Sequence, residues 1–283
     1  MTAPNDGDLP DFPVDVPSPA RTYDYVLGGK DNYAVDREVV QTMAARFPDS
    51  LDAVRANRQF LYRVVRFLGR DAGIRQFLDL GSGLPTQNNV HQVAQRFQPD
   101  ARVVYVDNDP TVLAHGRALL ATDDSTTVIA ADLTRPAGIL ASRQVSDLLD
   151  LSQPVGVLLL SVAHWVVDDA VVREMLAVLR KEIAPGSYLA FSQMCGKDRA
   201  TTDEANDQLA KLGMAAKNRT VAAVTEFLTG LEPVEPGLVD VRDWRPDPDQ
   251  PPLAEVGEPL RKYVGASAHG MQFMEYGGVL RRP

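Results

Sequence analysis

Acidic residues stand at the ends of three apolar runs: Asp79 in QFLDLGSG, Asp107 in RVVYVD and Asp132 in TVIAAD. The first acid is followed closely by Gly81 and Gly83. Paired glycines allow a tight turn and an approach by a ligand that no side chain obstructs. The pattern predicts a strand over 75–80, a turn, and a helix over 86–97. Free N–H groups at a helix start favour anionic or polar ligands, and nucleotide-containing cofactors suit such a place.

Three cofactor loops compete for these residues. A phosphate-binding Walker loop needs a lysine and then Ser or Thr after its last glycine, and none follows here. A dinucleotide loop needs G-x-G-x-x-G, but position 86 is Thr; the missing glycine is the one that lets helix and strand pack closely around a pyrophosphate. The third candidate, S-adenosylmethionine, has no phosphate and carries an ammonium group that an acid at the strand end can attract. With Asp79, Gly81, Ser82 and Gly83, the loop resembles the D-x-G-x-G-x-G motif of class I S-adenosylmethionine-dependent methyltransferases. Pro85 replaces the last glycine, and proline suits a first helical position. Asp107, with Asn108 beside it, is placed to accept hydrogen bonds from both ribose hydroxyls. Asp109 precedes Pro110 and reads as a helix N-cap. Asp132 resembles the acid that binds the adenine amino group in this fold, with Leu133 offering a backbone N–H or a face for the ring; a turn-forming acid before TRP is the other reading. An NAD(P)-dependent oxidoreductase and a non-catalytic S-adenosylmethionine-binding protein remain as alternatives.

These acids need a scaffold that brings strand ends together. Near-continuous apolar runs predict further strands over 102–107, 127–132, 155–162 and 187–194, with helices over 110–121, 137–149 and 168–183 between them. Such alternation is the mark of a doubly wound sheet covered on both faces. Before it, helical spacing covers 34–46 and 51–69. After it come helical stretches over 201–213 and 220–229. LEPVEPGLVDVRDW and MQFMEYGGVLRRP then read as an antiparallel edge hairpin around a proline-rich insertion with a short helix near 255–264. The whole predicts an α/β, Rossmann-like fold: a seven-stranded, mostly parallel sheet with an antiparallel edge hairpin and an N-terminal helical cap. The divisions are a disordered tail over 1–19, rich in proline and acid, a cap or lid over 20–70, and the main domain over 71–283.

Bulk properties narrow the partners. The net charge of −9 argues against a nucleic-acid-binding face, and the N-P-P-Y-like tetrapeptide of amino-methylating nucleic-acid enzymes does not follow strand four, where the chain reads SVAHWVVDD. Cys195 is the single cysteine, so no intrachain disulfide or cysteine-based zinc cluster is available, and no metal is expected. Without a secretory pattern or a stretch of roughly 20 apolar residues, the expectation is a cytoplasmic protein that does not enter membranes. Oligomeric state is left unassigned.

Over residues 20–33 the chain reads ARTYDYVLGGKDNY, and it continues with RANRQFLYRVVRFL, FLDLGSGLPTQNNVHQVAQ, VVYVDNDPTVLAHGRALL, ADLTRP, HWVVDD, PGSYLAFS and a terminal YGGVLRRP. In these segments, from about residue 18 to the end, it resembles the S-adenosyl methyltransferase family typified by an N-terminal ARxYDYxLGGKDN segment. The resemblance implies the class I fold, S-adenosylmethionine as cofactor and S-adenosylhomocysteine as product, and little about the acceptor, which the acidic balance and the missing N-P-P-Y-like motif point toward small molecules. Tyr23, Tyr25, Asn32 and Tyr33 are then candidates for a flap that covers the cofactor and excludes water, or else for ordinary helix packing. Arg58 is placed to pair with the methionyl carboxylate or to be a surface charge. Ser161, where strand four ends, completes the expected cofactor contacts. His164 beside Trp165 is the best-placed histidine for a general base, with a structural or cofactor-contacting role as its alternative.

Overall fold

The computed structural model describes residues 13–119 and 124–283. Five strands run parallel: β1 (Gln76–Leu80), β2 (Arg102–Asp107), β3 (Thr126–Ala130), β4 (Gly156–Leu160) and β5 (Tyr188–Gly196). Three more, β6 (Glu232–Pro233), β7 (Val239–Asp240) and β8 (Phe273–Arg281), complete the sheet. The order is β3-β2-β1-β4-β5-β8-β6, and β7 also pairs with β8. All three late pairings are antiparallel. The eighth strand arises because the partner of β8 is broken in two: Gly237 donates to the Val234 carbonyl and turns the chain with φ +95° between β6 and β7. Between β1 and β4 the strand order reverses. At such a switch point, connections leave to opposite faces and open a crevice beyond the strand ends.

Helices cover both faces. In chain order they are α1 (Pro19–Val26), α2 (Ala34–Arg46), α3 (Ser50–Arg66, prolonged by a wider turn Phe67–Asp71), α4 (Val90–Ala94), α5 (Pro110–Leu119), α6 (Pro136–Leu140), α7 (Arg143–Ser146), α8 (Asp169–Glu182), α9 (Arg199–Lys211) and α10 (Val221–Phe227). Side chains of a strand alternate between faces, and the two halves of the core show it. Leu78 and Leu80 pack with Val172, Met175 and Leu179 of α8 on one side. Phe77 packs with Phe60, Val64 and Leu68 of the α3 region on the other. The same alternation turns Asp79 toward α3. It also turns Ser192 of β5 there, while Phe191 joins the α8 side.

Three helix expectations change. The helix expected over 137–149 is two short ones, α6 and α7, the second capped by Ser142, whose side chain accepts from Val145 N–H. The helix expected over 86–97 is only Val90–Ala94, with Asn89 as its N-cap: Gln92 accepts from Asn89 N–H at 2.9 Å, and the Asn89 side chain turns back to accept from Thr86 N–H at 3.0 Å in the preceding loop. Asn88, at φ +59°, redirects the backbone just before this cap. Pro85 therefore lies in the loop, not at the first helical position. The helix expected near 255–264 is reduced to short 3-10 turns at Arg261–Tyr263 and Ala266–His269.

The N-terminal helices are held by buried polar pairs. Arg21 Nε donates to Asp36 at 2.7 Å, with both side chains at most 2% exposed. Asp36 also accepts from Ser18 N–H and Tyr33 N–H, so α1 is bound to the start of α2. Residues 1–12 of the expected tail lie outside the described residues. Pro13 and Val16 are described, and their carbonyls accept from Arg21. α3 packs directly on the sheet, leaving α1 and α2 as the layer above it.

Candidate functional site

Beyond the C-terminal ends of β1 to β4 lies an open cleft of about 1080 Å³, counting the solvent at its mouth. Gly81 takes φ +73° at its floor, and a Cβ there would come within 2.7 Å of a Val162 methyl. Only glycine gives the chain this turn and this clearance. Asp79, Gly81, Ser82 and Gly83 line the cleft from β1 and its loop, Asp107 and Asn108 from β2, Asp132 and Leu133 from β3, and Ser161 from β4. Tyr23 of α1 and Arg58 of α3 close it from above. The cleft thus gathers every cofactor-site candidate read from the sequence. His164 is not among its walls.

The carboxylates differ in environment. Asp79 is buried, and desolvation pushes its pKa up to about 7; Arg58 opposes the shift and Asp107 adds to it. Asp107 is likewise raised by burial, although it accepts from Gly83 N–H at 2.9 Å and Asp109 N–H at 3.0 Å. The Gly83 bond ties the glycine loop to the end of β2. Asp132 is exposed and accepts from both the N–H and the hydroxyl of Thr134, so it forms the turn its alternative reading described while still lining the cleft. Asp109 accepts from Thr111 N–H at 2.8 Å at the start of α5, as an N-cap does, and also from the Ser18 hydroxyl. Arg58 donates to the carbonyls of Gln87 and Asn88, bracing the loop as well as facing the cleft.

Ser161 has φ +56°. A non-glycine residue in this region is uncommon and strained. Its hydroxyl donates to Glu275 of β8 at 2.5 Å, and its N–H donates to the Ser192 hydroxyl, which itself donates to Asn57. Asn57 donates to the Tyr23 hydroxyl at 2.9 Å. Glu275 is fully buried, and burial pushes its pKa up to about 8; Asp240 adds to the rise, and its hydrogen-bonded serines oppose it. This polar chain was missed in the sequence, where Glu275 sits in an apolar strand with no local feature to mark it.

Ser161, Tyr23, Trp165 and Pro19 also border a second cavity, of about 840 Å³ with its mouth included. His164 lines this one. Burial, with Arg219 adding, depresses its pKa to about 3. The imidazole is neutral at ordinary pH, and such a low proton affinity does not suit the general base expected from sequence. Of the four residues proposed as a flap, only Tyr23 reaches either cavity. Tyr25 bonds to Gln41, Asn32 donates to Asp24, and Tyr33 stands at the start of α2 under the Arg21 guanidinium.

The residues fit S-adenosylmethionine: acids at three adjacent strand ends, a glycine floor, and a buried Ser82 hydroxyl with no partner among the described residues. The S-adenosyl methyltransferase family profile matches residues 8–283. The chain belongs to the S-adenosyl methyltransferase family. Membership makes it an S-adenosylmethionine-dependent methyltransferase. A protein of Thermobifida fusca, provisionally described as a methyltransferase, is 37% identical over 94% of this chain and 95% of its own, with a TM-score of 0.81. A DUF574 family protein of Streptomyces avermitilis is 36% identical over 95% and 99%, with a TM-score of 0.77. Geranyl diphosphate C-methyltransferase of Streptomyces coelicolor, solved with Mg2+, geranyl diphosphate and S-adenosylhomocysteine, shares the fold at 14% identity over 91% and 87%, with a TM-score of 0.51. No curated protein matches the chain. Among the described residues, no helix is long and apolar enough to cross a membrane.

Proposed function

We propose that the chain transfers the methyl group of S-adenosylmethionine to a small-molecule acceptor, with cofactor and acceptor meeting where the two cavities share Ser161 and Tyr23. When bound, the cofactor supplies an electrophilic methyl group that an acceptor lone pair takes, the S–C pair staying on sulfur as the sulfonium becomes a neutral thioether. Asp79 holds the ammonium, Asp107 the ribose hydroxyls, and Asp132 with Leu133 the adenine; Arg58 meets the carboxylate. The observation that carries this reading is the convergence of three strand-end acids on one glycine-floored cleft. A dinucleotide is disfavoured because the helix that would point its N–H groups at a pyrophosphate begins only at Val90.

The chain's own contribution is position and desolvation, the main levers for a displacement of this kind. Ser161 Oγ, committed to Glu275 as a donor, is free to accept from an acceptor hydroxyl. The proton shed on transfer passes to Ser161 as Ser161 gives its own to Glu275, a step open only to the ionised form of Glu275, which burial keeps in the minority until pH rises through about 8. The ARTYDYVLGGKDN segment is read as the family's device for roofing both cavities, through Tyr23 and the Arg21–Asp36 pair. A cytoplasmic enzyme with no nucleic-acid substrate fits the acidic balance. Calorimetric titration with S-adenosylhomocysteine and NAD tests the reading. Binding of the first and not the second is expected, and the reverse would overturn it.

A further inference from the structure

Nothing assigned so far says what kind of acceptor the second cavity admits. It is walled by helices α1, α2, α3 and α9 and by the ends of β5 and β8. Val39, Met43, Leu51, Met194, Leu209 and Phe273 supply much of its surface. None of its lining residues is Lys, Arg, Asp or Glu. Its one titratable side chain besides Tyr23 is His164, held neutral by burial and Arg219. Arg219 itself does not line the cavity and is committed to Asp169 and to the carbonyls of Ala163, Val166 and Lys217. An ionised phosphate or carboxylate would therefore enter without a counter-charge and lose its hydration uncompensated. Ser161 and Tyr23 line both this cavity and the cofactor cleft. Methionines at Met43, Met194 and Met214 give the remaining surface the adaptability of flexible thioethers.

We infer that this cavity is the acceptor site and that it selects an uncharged, predominantly apolar molecule whose methyl-accepting hydroxyl, or similarly neutral nucleophile, meets Ser161. The inference rests on the proposed reading of the neighbouring cleft as the cofactor site. Diphosphates, nucleotides and amino acids are excluded by charge. Aromatic or terpenoid alcohols of modest size are the class that fits.

Two probes of one shape test it: 2-naphthol, which is uncharged, and 2-naphthyl phosphate, each titrated into the full chain with and without saturating S-adenosylhomocysteine. The expected result is naphthol binding in both conditions, with the phosphate weaker by at least about tenfold. Leu209→Trp, which fills the cavity from α9, should weaken naphthol by about tenfold or more and leave S-adenosylhomocysteine affinity within about threefold. Met43→Lys, which adds a cation without filling the space, should narrow or reverse the preference against the phosphate. Equal binding of both probes by the natural chain would overturn the inference. So would naphthol affinity indifferent to both substitutions, or displacement of naphthol by S-adenosylhomocysteine. Failure of the chain to bind S-adenosylhomocysteine would instead strike the cofactor reading, with the charge selectivity of the cavity still read from the cofactor-free titrations.

Discussion

On the proposed reading, the protonation of Asp79 sets how well the ligand ammonium is held. In the free protein, burial raises its carboxyl to about 7, with Arg58 opposing and Asp107 adding. A ligand ammonium favours the ionised form, so binding at lower pH must release a proton. Affinity for S-adenosylhomocysteine should fall by up to about tenfold per unit as pH drops below about 7, and Asp79→Asn should flatten this dependence; calorimetry across that range checks both. Asp107→Ala should weaken cofactor binding by about 1.5–3 kcal/mol. Asp109→Ala should act mainly on stability, by about 0.5–2 kcal/mol, because its carboxylate caps α5. Exchanged effects would mean that the end of β2 has been assigned two residues out of place. Glu275 carries a folded-state pKa raised to about 8, so its favourable contribution is complete below its ordinary pKa and is lost as pH rises through about 8. Chemical denaturation should show stability declining over that window by up to about 1.4 kcal/mol per unit from this group, and Glu275→Gln should remove that share. The strand-end acids were legible because each is marked by its own apolar run. Glu275 was not, since only the antiparallel pairing of β8 with β5 brings position 275 beside Ser161. The His164 environment was equally hidden, because its neutrality comes from burial and from Arg219, both set by the fold.

Helix α1 is short and carries little apolar surface of its own, yet it supplies Tyr23 to both cavities. Its position depends on Asp36, which accepts from Arg21, Ser18 and Tyr33. Asp36→Ala leaves a buried guanidinium without its carboxylate and should cost about 3–5 kcal/mol of stability, with weaker S-adenosylhomocysteine binding as α1 loosens; denaturant unfolding and calorimetry measure the two effects. Helix α2 falls over the residues its spacing predicts, 34–46, and β2 over 102–107. The start of α4 did not follow the pattern. Residues 86–89 read Thr-Gln-Asn-Asn and carry no apolar position, and the Asn89 cap and the left-handed Asn88 delay the helix to Val90. Cap geometry of that kind is a matter of a few side-chain hydrogen bonds, which periodicity does not register.

At the scale of the molecule, a doubly wound sheet was written in the succession of apolar runs, and the switch point between β1 and β4 places a cleft where ligands of such sheets bind. The second cavity was not legible, because its wall is assembled from helices α1, α2, α3 and α9, whose contacts join residues far apart in the chain. On the proposed reading, the polar, acidic cleft takes the cofactor and the apolar cavity the acceptor, and the two meet at Ser161. A crystal structure of the protein with S-adenosylhomocysteine tests that arrangement most directly. The account predicts the ribose on Asp107, the adenine beside Asp132 and Leu133, and the sulfur turned toward Ser161 and the apolar cavity. A ligand seated elsewhere, or one whose sulfur faces away from Ser161, would contradict it.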